Sequence, residues 1–149
     1  MITVHEMEAE DVIAVLKNPW EVSADEFSID PISCSAAIDR IESLWINSTR
    51  AVALREGNNT VAVIGMCPGT IGVWYTWFLA SSLFEKAGRA ATRAMRHLLK
   101  NVMVEFDIEK MVSISASTRS DAGKWFSFFG FSRDENYDAN GGRGFVIVR

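Results

Sequence analysis

At 149 residues, 48% of them hydrophobic, the chain suits one domain, residues 1–149, with a single filled core. Its net charge of −4 argues against nonspecific binding of the whole chain to nucleic acid, whose backbone selects concentrated Lys and Arg. The two cysteines, Cys34 and Cys67, stand outside any CxxC or Cys/His spacing, so neither a disulfide framework nor a metal site is expected.

"ITVHEM" predicts an opening strand, and "EAEDVIAVL" a short helix with Val12, Ile13 and Leu16 on one side. No basic region precedes an apolar run here, so no secretion signal is expected. The polar stretch "NPWEVSADEFSIDPIS" leads into a second helix near Cys34 to Asn47, where Ala37, Ile41, Leu44 and Trp45 recur at helical spacing. "RAVALRE", a turn at "GNN" and "TVAVIGM" read as a hairpin. After a "PGT" turn, "IGVWYTWFLA" is a strand rich in aromatic and β-branched residues. The longest apolar stretch, "IGVWYTWFLASSLF", falls short of the roughly 20 residues of a membrane helix, so a soluble, intracellular protein is expected.

From Leu83 or Phe84 the period becomes helical, with Phe84, Ala87, Ala91, Ala94 or Met95, Leu98, Val102 and Phe106 on one face. "KMVSISAST" is a further strand. "DAGKWFSFFGF" is a short helix stopped by Gly130, with Trp125, Phe128, Phe129 and Phe131 assigned to the core and Phe126 to another neighbour. "FSRDENYD" and "GFVIVR" close the chain as a hairpin. The order is β-α-α-β-β-β-α-β-α-β-β, an α/β fold with a mixed sheet flanked by helices on both faces.

Two stretches carry chemistry. In "FLASSLFEKAGRAATRAMRHLLK" a strand runs through a small polar turn into a helix, whose first N–H groups can bind a phosphate. Ala87, Gly88, Ala90 and Ala91 allow close approach, and Lys86, Arg89, Arg93, Arg96 and Lys100 form a basic stripe. The same pattern also fits an ordinary solvated helix face. His5 and His97 are isolated, and neither is assigned a catalytic role.

In its element order the chain resembles the GCN5-related N-acetyltransferase (GNAT) family. That family's R/Q-x-x-G-x-G/A motif is matched by "LFEKAGRA", with Leu83 in the Arg/Gln position, Lys86 in the first Gly position and Gly88 in the second. Its N-x-x-A-x-x-L-Y-x-K-x-G-F motif is matched by "RSDAGKWFSFFGF", with Ala122, Gly130 and Phe131 in register. Arg119 replaces the Asn, Trp125 the Leu and Phe126 the Tyr. The chain is also similar to a divergent branch in short-tailed phages that includes virion- or assembly-associated proteins.

The resemblance implies a splayed pair of strands holding acetyl-CoA. The backbone of Phe78, Leu79 and Ala80 would bond its pantetheine, and the N–H groups of a loop from Glu85 to Arg89 (Lys86, Ala87 and Gly88 included) its pyrophosphate. Lys86 or Arg93 would assist, and Arg119 and Phe126 fall at motif positions beside the cofactor. The amine would attack the thioester directly. Since Phe126 cannot donate a proton, Tyr75, Ser117, Ser127 and Tyr137 are the replacement donors, Tyr75 and Ser117 foremost.

An acidic rim (Asp25, Glu26, Asp30, Asp39, Glu42, Asp134, Glu135, Asp138, with Trp20 and Trp45) would suit a cationic amine or protein acceptor, and equally suits an ordinary soluble surface. The location implied is cytoplasmic, in a host cell or virion if phage-encoded, with a homodimer left open. The alternative is a catalytically silent GNAT-like virion, assembly or host-interaction protein.

Overall fold

The computed structural model describes residues 1–30 and 33–149; positions 31 and 32 of the polar stretch lie outside the described residues. In chain order the elements are β1 (Ile2–Glu6), α1 (Ala9–Lys17), α2 (Glu21–Glu26), α3 (Ser35–Ile46), β2 (Arg50–Glu56), β3 (Asn59–Pro68) and β4 (Val73–Ala80). They continue with α4 (Leu83–Glu105), β5 (Lys110–Ser115), α5 (Ala122–Phe128), β6 (Ser132–Arg133), a 3-10 turn at Glu135–Tyr137 and β7 (Arg143–Val148). The strands form one sheet in the order β1-β2-β3-β4-β5-β7-β6. All neighbours are antiparallel except β4 and β5, joined in parallel by the crossover helix α4.

Alternation along the strands divides the core into two layers. On one face Val52, Leu54, Ala62, Ile64 and Met66 pack with Phe84, Met95, Leu99 and Val102 of α4. On the other, Ala53, Val63 and Leu79 pack with Val15 and Leu16 of α1 and Ile41 of α3. A bulge between Leu54 and Arg55 adds Val61 opposite them, which puts it on the α4 side although Val63 faces away. Gly65 is required by close approach: a Cβ there would lie 2.0 Å from the Trp77 indole nitrogen, which donates to Ser48 Oγ at 2.9 Å.

The sequence reading of this fold needs four corrections, the first that Ile13, set beside Val12 and Leu16, is 50% exposed while those two are buried. The polar stretch contains an unforeseen helix, α2. The buried stripe of α4 shifts to Leu99 and Met103, with Leu98 and Phe106 half-buried at its margin. Phe128, assigned to the core, is 48% exposed, because a seven-residue helix buries only one side and Phe129 and Ala122 take it.

α1 begins where Asp11 folds back to accept from the Glu8 N–H at 2.9 Å. The same carboxylate, 3% exposed, accepts from Arg55 Nε and Nη2 at 2.9 and 2.7 Å and from Thr60 Oγ1 at 2.7 Å. α1 is thereby tied to β2 and β3.

Candidate active site

β4 and β5 pair only through Val73–Lys110, Trp74–Met111 and Tyr75–Val112. Beyond Tyr75 they part, and β5 continues on β7 alone through Ser115. The split opens a cleft of about 460 Å³ between the two helical layers. Phe78, Trp20, Trp125, Phe126 and Phe129 line its α4 side; Glu26, Phe27, Arg40, Tyr75, Ile114 and Asn140 are among the rest of its lining. Peptide groups alternate in direction along a strand. The Ala80 N–H and C=O point away from β3, so those of Phe78, two residues earlier, also face the split.

α2 lies across the mouth of this split and is fastened to both arms. On the β4 side the Ala80 N–H donates to Ser23 Oγ at 2.9 Å, and the Trp20 N–H donates to the Ala80 carbonyl at 2.9 Å. Pro19 and Ser81 form an antiparallel bridge, so residues 18–20 act as a short added strand on the end of β4. On the β5 side Glu26 accepts from the Ser115 hydroxyl and from the Ala116 N–H at 2.7 Å. Asp25 accepts from Ser117 Oγ at 2.5 Å and the Thr118 N–H at 3.0 Å.

The two carboxylates are shifted in opposite directions. The Ser117 hydroxyl, followed by the Thr118 and Arg119 N–H groups, outweighs partial burial and holds Asp25 below the usual carboxylate range. Burial dominates at Glu26 and pushes its pKa up, despite its bonds from Ser115 and Ala116 and the nearby Arg40 charge. Glu26 therefore holds its proton more tightly than an ordinary glutamate, in the wall of the cleft.

The sequence-assigned residues fall into three groups. Tyr75, Phe78 and Phe126 line the cleft. Phe126 stacks on Phe145, with centroids 4.4 Å apart and planes at 8°. Leu79 turns its backbone toward Val63 of β3, and the Ala80 groups are spent on Ser23 and Trp20, which leaves Phe78 as the open edge.

The expected loop from Glu85 to Arg89 is helix. β4 passes to α4 through Ser81 and Ser82 alone, so Lys86, Ala87, Gly88 and Arg89 donate their N–H groups within the helix. Of the orphan donors at its start, Ser82 N–H bonds the Asn18 carbonyl at 2.9 Å. Phe84 N–H bonds the Ser81 carbonyl at 3.0 Å, and Leu83 N–H bonds Ser81 Oγ at 3.3 Å. The helix starts early because Phe84 is fully buried among Trp20, Phe78, Trp125 and Phe129. Glu85 in the first turn accepts from Trp20 Nε1 at 3.2 Å, placing a carboxylate where an anion was expected.

Among the donors, Ser117 is outside the cleft lining and its hydroxyl serves Asp25; Ser127 is exposed, and Tyr137 lies beneath Lys110. Arg119 is bidentate on Asp121 at 3.0 Å and 3.5 Å from Glu21. Arg93 and Lys86 stand exposed on α4. Burial pushes the Cys67 thiol up, which removes it as a nucleophile at neutral pH. Among the described residues no group of three His, Cys, Asp or Glu could hold a metal, and no helix is long and apolar enough to cross a membrane.

Sequence reasoning passed over α2 as a tether, although "EVSADE" between Pro19 and Pro31 is free of Gly and Pro. Gly88 lies inside α4 with nothing within 4 Å of a Cβ built on it. Gly88→Ala should therefore raise stability by about 0.5–1 kcal/mol, seen as a higher urea midpoint at unchanged m.

No protein-family model matches the sequence, and no curated protein matches it. Among solved structures, the chain is similar to the aminoglycoside acetyltransferase AAC(6')-Ib in complex with coenzyme A. There the TM-score is 0.72 at 12% identity, covering 100% of this chain and 95% of that one. The GNAT domain of S. lividans PAT gives 0.72 at 13% identity, over 99% and 89% of the two chains. A GNAT-family acetyltransferase from Bacillus anthracis gives 0.67 at 13%, over 99% and 94%. The architecture is thus a GNAT-like α/β fold over essentially the whole chain.

Proposed function

We propose that this chain is an acetyl-CoA-dependent N-acetyltransferase that acts on an amine by direct transfer. The observation that carries the reading is the parting of β4 and β5 after Tyr75, with the Phe78 edge turned into the split and Glu26 in the same cleft. An extended thioester arm would lie along that edge as an added strand. Glu26 would take the proton of the incoming ammonium, freeing the lone pair that attacks the thioester carbonyl. Tyr75, whose side chain also lines the cleft, would protonate the departing thiolate in place of Phe126. Similar structures solved with coenzyme A or aminoglycosides support an acyl-CoA donor and an amine acceptor for this fold.

A second reading, a GNAT-like scaffold without catalysis in a virion or assembly role, is favoured by a different observation. Residues 18–20 occupy the end of the β4 edge, and the first donors of α4 are satisfied internally. A diphosphate would need both to be released.

Calorimetric titration with acetyl-CoA, with CoA as control, separates the two. Micromolar binding is expected, and Gly88→Trp should weaken it at least about tenfold while the fold survives, since nothing lies within 4 Å of a Cβ at that position. A folded protein with no heat change at millimolar ligand would instead establish the scaffold.

A further inference from the structure

The ten arginines of this chain divide sharply. All seven outside α4 are held: Arg55, Arg119, Arg133 and Arg149 by carboxylates, Arg50 by Glu105, Arg40 by the Glu26 carbonyl and Arg143 by the carbonyls of Ser117 and Arg119. Arg89, Arg93 and Arg96 of α4 have no ion pair, hydrogen bond or ring partner among the described residues, and the same holds for Lys86 and Lys100. The two acids of α4 do not neutralise them, because Glu85 is bonded to Trp20 and Glu105 to Arg50. All five cations are exposed on one face, and His97 stands among them.

We infer that this face of α4 is a docking surface for the phosphate backbone of a nucleic acid duplex. Lys86 to Lys100 spans about 21 Å of helix, with one cation per turn. Duplex DNA presents one phosphate per about 3.4 Å of axis on each strand, so that length faces about six phosphates of one strand. Three of the five cations are guanidiniums, whose fork matches phosphate oxygens. The exposed Ala90 beside them keeps the surface low enough for the backbone to approach. The net charge of −4 does not oppose this locally. The acidic side chains of α1 and α3 lie beyond the opposite face of the sheet, farther away than the screening length of about 8 Å at physiological salt. The stripe runs well past the first turns of α4, where a cofactor would sit, and the inference stands without the acetyltransferase reading.

The test is fluorescence anisotropy of a labelled mixed-sequence DNA duplex of about 20 base pairs, titrated with the full chain at several salt concentrations. The expected result is binding at low salt whose affinity falls with a log–log slope of about −4.5, about 0.9 for each phosphate neutralised by the five cations. The triple variant R89Q/R93Q/R96Q should keep its far-UV spectrum and reduce that slope by about 2.7. Absence of binding at low salt would overturn the proposal, as would binding that the triple variant leaves unchanged. Equal competition by polyglutamate would assign the face to acidic peptides and overturn it too.

Discussion

Asp11→Ala should destabilise the fold by about 3 kcal/mol at neutral pH, the lower end of what breaking a buried ion pair costs. Asp11 is 3% exposed and receives four donors: the Glu8 N–H, two from Arg55 and the Thr60 hydroxyl. Removing it strands the Arg55 guanidinium, whose remaining acid, Glu8, is 3.6 Å away and largely exposed. Burial by itself would raise the Asp11 pKa, but the Arg55 and Thr60 bonds, the Glu8 N–H and the Arg55 charge together hold it below the ordinary value. The fold therefore binds this proton more weakly than the unfolded chain does. Its contribution is complete above the unfolded value of about 3.9 and is lost as pH falls through the folded one. Urea unfolding across pH should show a gap between wild type and variant that is constant from pH ~8 to ~5 and narrows below ~4. A gap of under ~1 kcal/mol at neutral pH would mean that Arg55 recovers its losses in solvent.

Legibility in the sequence followed the range of the interactions. The period of α4 was readable because one helix face meets one sheet face, and Phe84, Ala87, Ala91 and Val102 are buried there. The β2–β3 hairpin was readable from its own turn. The family resemblance near Gly88 implied a loop over Glu85 to Arg89, whereas the helical period beginning at Leu83 or Phe84 is the reading the structure follows. Packing of Phe84 against four aromatic rings, three of them from distant segments, starts the helix at Leu83. The clamp of α2 on both strand ends was invisible for the same reason, since Ser23–Ala80 and Glu26–Ser115 bonds span 57 and 89 residues. Tyr75 was named from residue type and strand position and lines the cleft, whereas Glu26 appeared in the sequence only as one acid in a rim.

Glu26→Gln should lower turnover by about 10²–10⁴-fold if Glu26 is the general base, with acetyl-CoA affinity little changed. The carboxylate must be ionised to take a proton, and burial raises the pH at which that happens. Turnover in the wild type should accordingly climb with pH through a limb above the ordinary glutamate value of about 4.3, and the variant should lose that limb. Stability should move the other way. A raised folded pKa means that the fold holds this proton more tightly than the unfolded chain, so ionising Glu26 costs stability as pH rises through the same window. Glutamine abolishes that cost, and its amide oxygen can accept from the Ala116 N–H while its NH2 donates to the Ser115 hydroxyl, so the variant should be at least as stable as wild type at pH ~7. Asp25→Asn supplies the contrast. Asp25 is held ionised and grips Ser117 and Thr118, so its loss should loosen the strand end and keep the pH limb. A Glu26→Gln protein that retains wild-type turnover would remove Glu26 from the mechanism and leave it, like Asp25, as part of the clamp across the split.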